Sequence, residues 1–216
     1  MKYATSFVAL LLSAMILRGQ VHGTAPALTI YTKFSQSPSS RTIADMKSEL
    51  DAVMRPFHMR FDWRSLDRAT GHEVVDEVMV VHFKGVCQAD PPVTAGPRAG
   101  TLGWTHVTDG EILPFADVDC DKIREVMAQT LSISPPAERA YLLGRAMARV
   151  LAHELYHFLA HTTKHASSGI AKATYTRAEL ACDNLRFDEA QLRAVREQSA
   201  HHPAGEAVAA PGLSEE

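Results

Sequence analysis

The alternation of apolar and polar positions divides the chain into strand-like and helix-like stretches separated by turn chemistry. Leu28 to Phe34 (LTIYTKF) is rich in β-branched and aromatic residues and predicts a strand. In the stretch SSRTIADMKSELDAVMR that follows, Ile43, Met46, Leu50, Val53 and Met54 recur at helical spacing. Ser39 or Ser40 is available as N-cap, and Pro56 ends the helix. Met59 to Trp63 alternates as a second strand. Glu77 to Val86 (EVMVVHFKGV) is a more apolar third, expected inside the sheet. Leu102 to Val107 and Ile112 to Val118 flank Thr108-Asp109-Gly110-Glu111, and Asp-Gly between two such runs predicts a hairpin. Pro114 puts the second of these strands at or near a sheet edge.

The C-terminal half is helical. Ser134-Pro135-Pro136 is a helix start, and Ala140, Leu143, Met147, Val150 and Leu151 carry the apolar pattern into HELYH, so that motif rides on a long helix. Thr176-Arg177-Ala178-Glu179 has the form of a capping box and opens a final helix carrying Leu180, Phe187 and Leu192. Residues 89–100 (ADPPVTAGPRAG) form a loop without periodicity, and the tail 199–216 lacks an apolar face and is expected to be disordered. At the other end, Lys2 precedes the apolar run FVALLLSAMIL, and Val21 and Gly23 follow at cleavage spacing, so residues 1–23 predict a secretory signal peptide. That run is shorter than the roughly 20 residues needed to span a bilayer, and no second apolar stretch could span. One domain, 24–198, is left, expected to be secreted or periplasmic and monomeric.

Composition changes this picture little. At 216 residues, with 46% apolar and 22% charged residues, the chain can bury one ordinary core. A net charge of −3 supplies no basic stripe, which argues against a nucleic-acid partner. There are three cysteines, so at most one intramolecular bridge forms. Cys87 and Cys120 each end a strand-like run while Cys182 lies in a helical pattern, and Cys87–Cys120 is the expected disulfide, in keeping with export.

The chemistry concentrates in HELYHFLAHTTKH, residues 153–165. Residues four apart on a helix share a face, so His153 and His157 can turn two imidazoles toward one metal ion. Glu154 is rotated by about 100° and can reach a metal-activated water as general base. Two histidines compete for third ligand. His161 continues the ladder, but three ligands in a row cannot surround an ion tetrahedrally. His165 follows Thr162-Thr163, β-branched residues that favour leaving the helix, and is the expected third ligand, with His161 the alternative.

HExxH with a later histidine resembles the zincin metallopeptidases, and the strand-helix-strand order before it is similar to their metzincin branch. Metzincins carry HExxHxxGxxH; here Ala160 stands at the glycine and Thr163 at the histidine. The chain looks more like small secreted bacterial zincin-like proteins, in which the third histidine comes later and is followed by Ser-x-x-Gly-Ile-Met, corresponding to His165-Ala-Ser-Ser-Gly-Ile-Ala171 with Ala171 in place of the methionine. The resemblance implies an α/β (α+β) zincin-like fold, a twisted mixed sheet of about four to five strands on two long helices. It further implies one catalytic zinc ion held by His153, His157 and His165, Glu154 as general base, and a peptide or protein substrate held along an edge strand, Ile112 to Val118 or Leu102 to Val107. Tyr175 is a candidate stabiliser of the transition state. The rival readings are a zincin-like module that binds zinc or a protein without hydrolysis, and a structural zinc site with His161 or Asp183 as fourth ligand.

Overall fold

The computed structural model describes residues 27–91, 100–201 and 208–209. The expected signal segment, most of the 89–100 loop and most of the tail lie outside these residues. The chain begins with β1 (Ala27–Gln36) and α1 (Ser40–Met54), whose N-cap Ser39 accepts a hydrogen bond from the Thr42 amide. β2 (Arg60–Ser65), the two-residue β3 (Val74–Val75), β4 (Glu77–Val86), β5 (Gly103–Thr108) and β6 (Glu111–Asp119) follow. Then come α2 (Cys120–Ile133), α3 (Pro136–Leu159), α4 (Arg177–Ala181), α5 (Glu189–His201) and β7 (Val208–Ala209), which pairs with β3.

The main sheet is mixed and five-stranded, in the order β2-β1-β4-β6-β5. β2, β1, β4 and β6 run parallel, and β5 turns back antiparallel through the Asp109-Gly110 hairpin to form one edge. Strand alternation sends Leu28, Ile30, Met79, Val81, Phe83, Ala116 and Val118 to one face, where they pack with α1 and α3 in the principal core. Tyr31, Val75 and Val78 form a small second cluster. β6 lies one strand in from the edge. Its Pro114 precedes the stretch paired with β4, which starts at Phe115, and falls beside the bulge between Thr105 and Val107, so its missing N–H breaks no ladder bond. Cys87 and Cys120 form a disulfide that ties the end of β4 to the start of α2. Among the described residues no helix is long and apolar enough to cross a membrane.

In the tail expected to be disordered, α5 runs on to His201 and Val208–Ala209 pairs with β3, and two further features differ from the sequence expectation. α2 was not visible in the hydrophobic pattern because its apolar stripe, Ile123, Met127 and Leu131, is narrow and is interrupted by Arg124 and Glu125, which are themselves buried. The single final helix expected from Thr176 is two. The capping box forms as the sequence predicts, but α4 stops after Ala181 because guanidinium groups of α3 take up its last carbonyls: Arg149 Nη1 donates to Glu179 O and Leu180 O, and Arg145 Nη1 to Ala181 O and Cys182 O.

α1 and α3 cross at Gly144, where an added Cβ would stand 2.7 Å from Thr42 O and 3.0 Å from Met46 N. Both are backbone atoms and cannot swing aside. Gly144→Val is therefore expected to force the helices apart and lower stability by about 2 kcal/mol, within the usual range for overpacking. Urea denaturation checks this, and a change below about 0.5 kcal/mol would contradict so close a crossing.

Candidate metal centre

α3 delivers His153, Glu154 and His157 to the core side of the hairpin and then stops. The stop is a Schellman turn: His161 adopts the left-handed conformation (φ 47°), its amide donates to Phe158 O, and the Thr162 amide donates to His157 O. Ala160 stays right-handed (φ −88°), so the position that metzincins give to glycine needs none here; the left-handed residue is one further on. Leaving the helix at that point turns the chain back, and His165 comes to the two helical histidines. His161 faces away and pairs with Glu111 at 3.3 Å.

The ligand nitrogens of His153, His157 and His165 all lie within 4.8 Å of one another. Each helical histidine is held from behind by a carbonyl, His153 Nδ1 by Ile170 O at 2.9 Å and His157 Nδ1 by Thr162 O at 2.6 Å. A carbonyl only accepts, so both Nδ1 atoms carry the proton and both Nε2 atoms present lone pairs. Those lone pairs face each other across 2.9 Å. Burial lowers the pKa of His153 to about 4 and also lowers that of His157, so burial favours the neutral form of both rings. Three imidazoles converging in this way, the two helical ones with tautomers set by carbonyls behind them, fit a borderline-soft divalent cation such as zinc.

The floor of the site is the 162–176 loop. Gly169 (φ 66°) packs where a Cβ would meet Arg186 O and the Gln191 amide, and the buried Gln191 donates to Ser168 O at 2.6 Å. This sets the carbonyl of Ile170 under His153. Ala171 is fully buried in the core. The hydroxyl of Tyr175 donates to the same Ile170 carbonyl and lies 3.2 Å from His153 Nδ1, behind the ring and opposite its Nε2.

Glu154 is only 3% exposed. Burial, opposed by hydrogen bonds from Thr105 and reinforced by Asp117, raises its pKa to about 7. Thr105 Oγ1 donates to Glu154 Oε2 at 2.8 Å. The other oxygen, Oε1, lies over Gly103, where a Cβ would stand 2.8 Å away. The hairpin and the helix end enclose a cleft of about 190 Å³ lined by Gly103, Trp104, Thr105, Val107 and Ile112 on one side and His157, Thr163 and His165 on the other. The residues that seat Glu154 and two of the three histidines thus border one space.

The sequence matches no protein-family model and no curated protein. Among solved structures the chain is similar to archaemetzincin from Methanopyrus kandleri, at 10% identity and a TM-score of 0.48, over 83% of this chain and 98% of that one. A likeness so distant carries no statement about chemistry, which rests on the side chains themselves.

Several contributors were not singled out by pattern. Thr105 and Gly103 looked like ordinary strand residues, and main-chain carbonyls leave no mark in a sequence. His82, His106 and Lys84 gather around the buried Asp117, with His106 Nε2 2.7 Å from its carboxylate. Asp119 caps α2, and Asp121 accepts from the Val86 amide, so the acidic run 117–121 serves local structure. Asp183 pairs with Arg145.

The arrangement predicts that His165→Ala abolishes tight zinc binding while His161→Ala leaves it within about twofold. Zinc content after buffer exchange and a competition titration measure both; loss of zinc with His161→Ala and its retention with His165→Ala would reverse the assignment.

Proposed function

We propose that the protein is an exported zinc-dependent peptidase in which Glu154 is the general base. The observation that carries this reading is the shared cleft: His157 and His165 border it on one side, and Gly103 and Thr105, which seat a buried carboxylate with a pKa near 7, on the other. A base poised near neutral pH both takes and returns a proton readily. Export rests on the leader-like residues 1–23 and agrees with the Cys87–Cys120 bridge.

When bound by His153, His157 and His165, zinc supplies Lewis acidity, polarising a carbonyl and lowering the pKa of water toward about 7. The chain does the rest. Among the described residues β5 is the terminal strand with one unpaired edge, along which an extended peptide is held by main-chain hydrogen bonds. Thr105 fixes Glu154 through Oε2, which leaves Oε1 to accept a proton from the attacking water. The water oxygen bonds to the peptide carbonyl carbon. Glu154 then passes the proton from Oε1 to the departing amine nitrogen as the C–N bond breaks. A role for Tyr175 in stabilising the intermediate requires its hydroxyl to leave the Ile170 carbonyl; where it stands, it orients His153.

Glu154→Gln is expected to retain zinc and lose peptide hydrolysis by about 10²–10⁴-fold, the usual contribution of a general base. Gly103→Ala is expected to lower kcat without displacing zinc, because its Cβ collides with Glu154 Oε1, Asp117 O and Val150 Cγ1, none of which is a ligand. Cleavage of a peptide library, abolished by chelator and restored by zinc, is the assay. A purified Glu154→Gln protein that hydrolyses peptides at the wild-type rate would refute the reading, and a zinc-loaded wild type that cleaves nothing would leave a non-hydrolytic zinc-binding module.

A further inference from the structure

The buried polar stripe of α3 is longer than the metal site. Arg145, Arg149, His153 and His157 stand at successive i, i+4 positions, and all four are buried. Each donates to main-chain carbonyls of the segment that returns along the helix. His157 takes Thr162, His153 takes Ile170, Arg149 takes Glu179 and Leu180 at 2.7 and 3.0 Å, and Arg145 takes Ala181 and Cys182 at 2.8 and 3.2 Å. The order along the segment is the reverse of the order along the helix, as an antiparallel return demands. Glu49 of α1 sets the guanidinium of Arg149, whose Nε and Nη2 lie 2.9 and 2.7 Å from Glu49 Oε1.

His165 is held differently from the other two histidines. It is exposed, and its place is set by the loop around it. The Ala166 amide donates to Ala171 O at 2.8 Å, and Ala166 bridges to Lys172. The Lys172 ammonium pairs with Glu179, whose second carboxylate oxygen accepts from the Thr176 amide and hydroxyl at 2.8 and 2.7 Å. The backbone carbonyl of that same Glu179 is the one Arg149 grips.

We propose that Arg149 is a positioning residue for the metal site: through Glu179 and Lys172 it holds the 162–176 loop so that His165 meets His153 and His157. This rests on the three-histidine metal reading. A guanidinium is needed because its planar fork serves two carbonyls and a carboxylate at once; the single ammonium of lysine, on a flexible stem, cannot reproduce that geometry.

Cobalt(II) serves as the probe, with affinity and visible absorption recorded for wild type, Arg149→Lys, Glu179→Gln and His165→Ala, beside thermal unfolding of each metal-free protein. Arg149→Lys and Glu179→Gln are expected to bind cobalt at least tenfold more weakly, with ligand-field bands moved toward those of His165→Ala. Adding His165→Ala to either should cost little more. Glu179 is partly exposed, so Glu179→Gln keeps the test open if Arg149→Lys does not fold. Wild-type affinity and bands in these folded variants, whatever their melting temperatures, would overturn the proposal, as would full additivity with His165→Ala. Absence of cobalt binding by the folded wild type would instead overturn the metal reading itself.

Discussion

The site depends on two hydrogen bonds from imidazole to backbone. Because Thr162 O and Ile170 O can only accept, they fix which nitrogen of His157 and His153 carries the proton, and so leave both Nε2 lone pairs aimed at one point. Both carbonyls come from residues just beyond α3, so helix end, turn and floor loop have to form together for the site to exist. The Schellman turn at His161 connects these parts: it ends the helix, presents the Thr162 carbonyl, and sends the chain toward His165.

A second constraint works on the opposite wall. Glu154 is buried against the edge hairpin, where Gly103 supplies space and Thr105 donates from its hydroxyl and its backbone. Such an environment disfavours ionisation, and the carboxyl rises to about 7 with one oxygen still uncommitted to a side-chain donor. The edge strand therefore both seats Glu154 and, among the described residues, ends the sheet beside the same cleft.

Much of this was legible in the sequence for identifiable reasons. Strands β1, β4 and the hairpin announced themselves by β-branched runs and Asp-Gly, and α3 by its unbroken apolar stripe. His153 and His157 were singled out because helical spacing converts a four-residue interval into a shared face, and Glu154 because it lies one residue round the helix from the first of them. His165 was reached by an argument about where the helix ends, and the structure puts it beside the other two histidines while His161 pairs with Glu111. α2 stayed hidden because Arg124 and Glu125 are buried amid its narrow apolar stripe, and the break between α4 and α5 because the groups that stop α4 lie on a different helix. Yet Arg145 and Arg149 extend the same four-residue interval N-terminally from His153. That ladder was readable, but its partners are carbonyls, and no pattern of side chains records them.

The central claim is that three imidazoles and an open position hold one zinc ion. X-ray absorption at the zinc edge of the loaded protein tests it directly. The account predicts three imidazole nitrogens at about 2.0–2.1 Å with one further light oxygen scatterer from solvent. A sulfur scatterer, a fourth imidazole, or fewer than three imidazoles would contradict it.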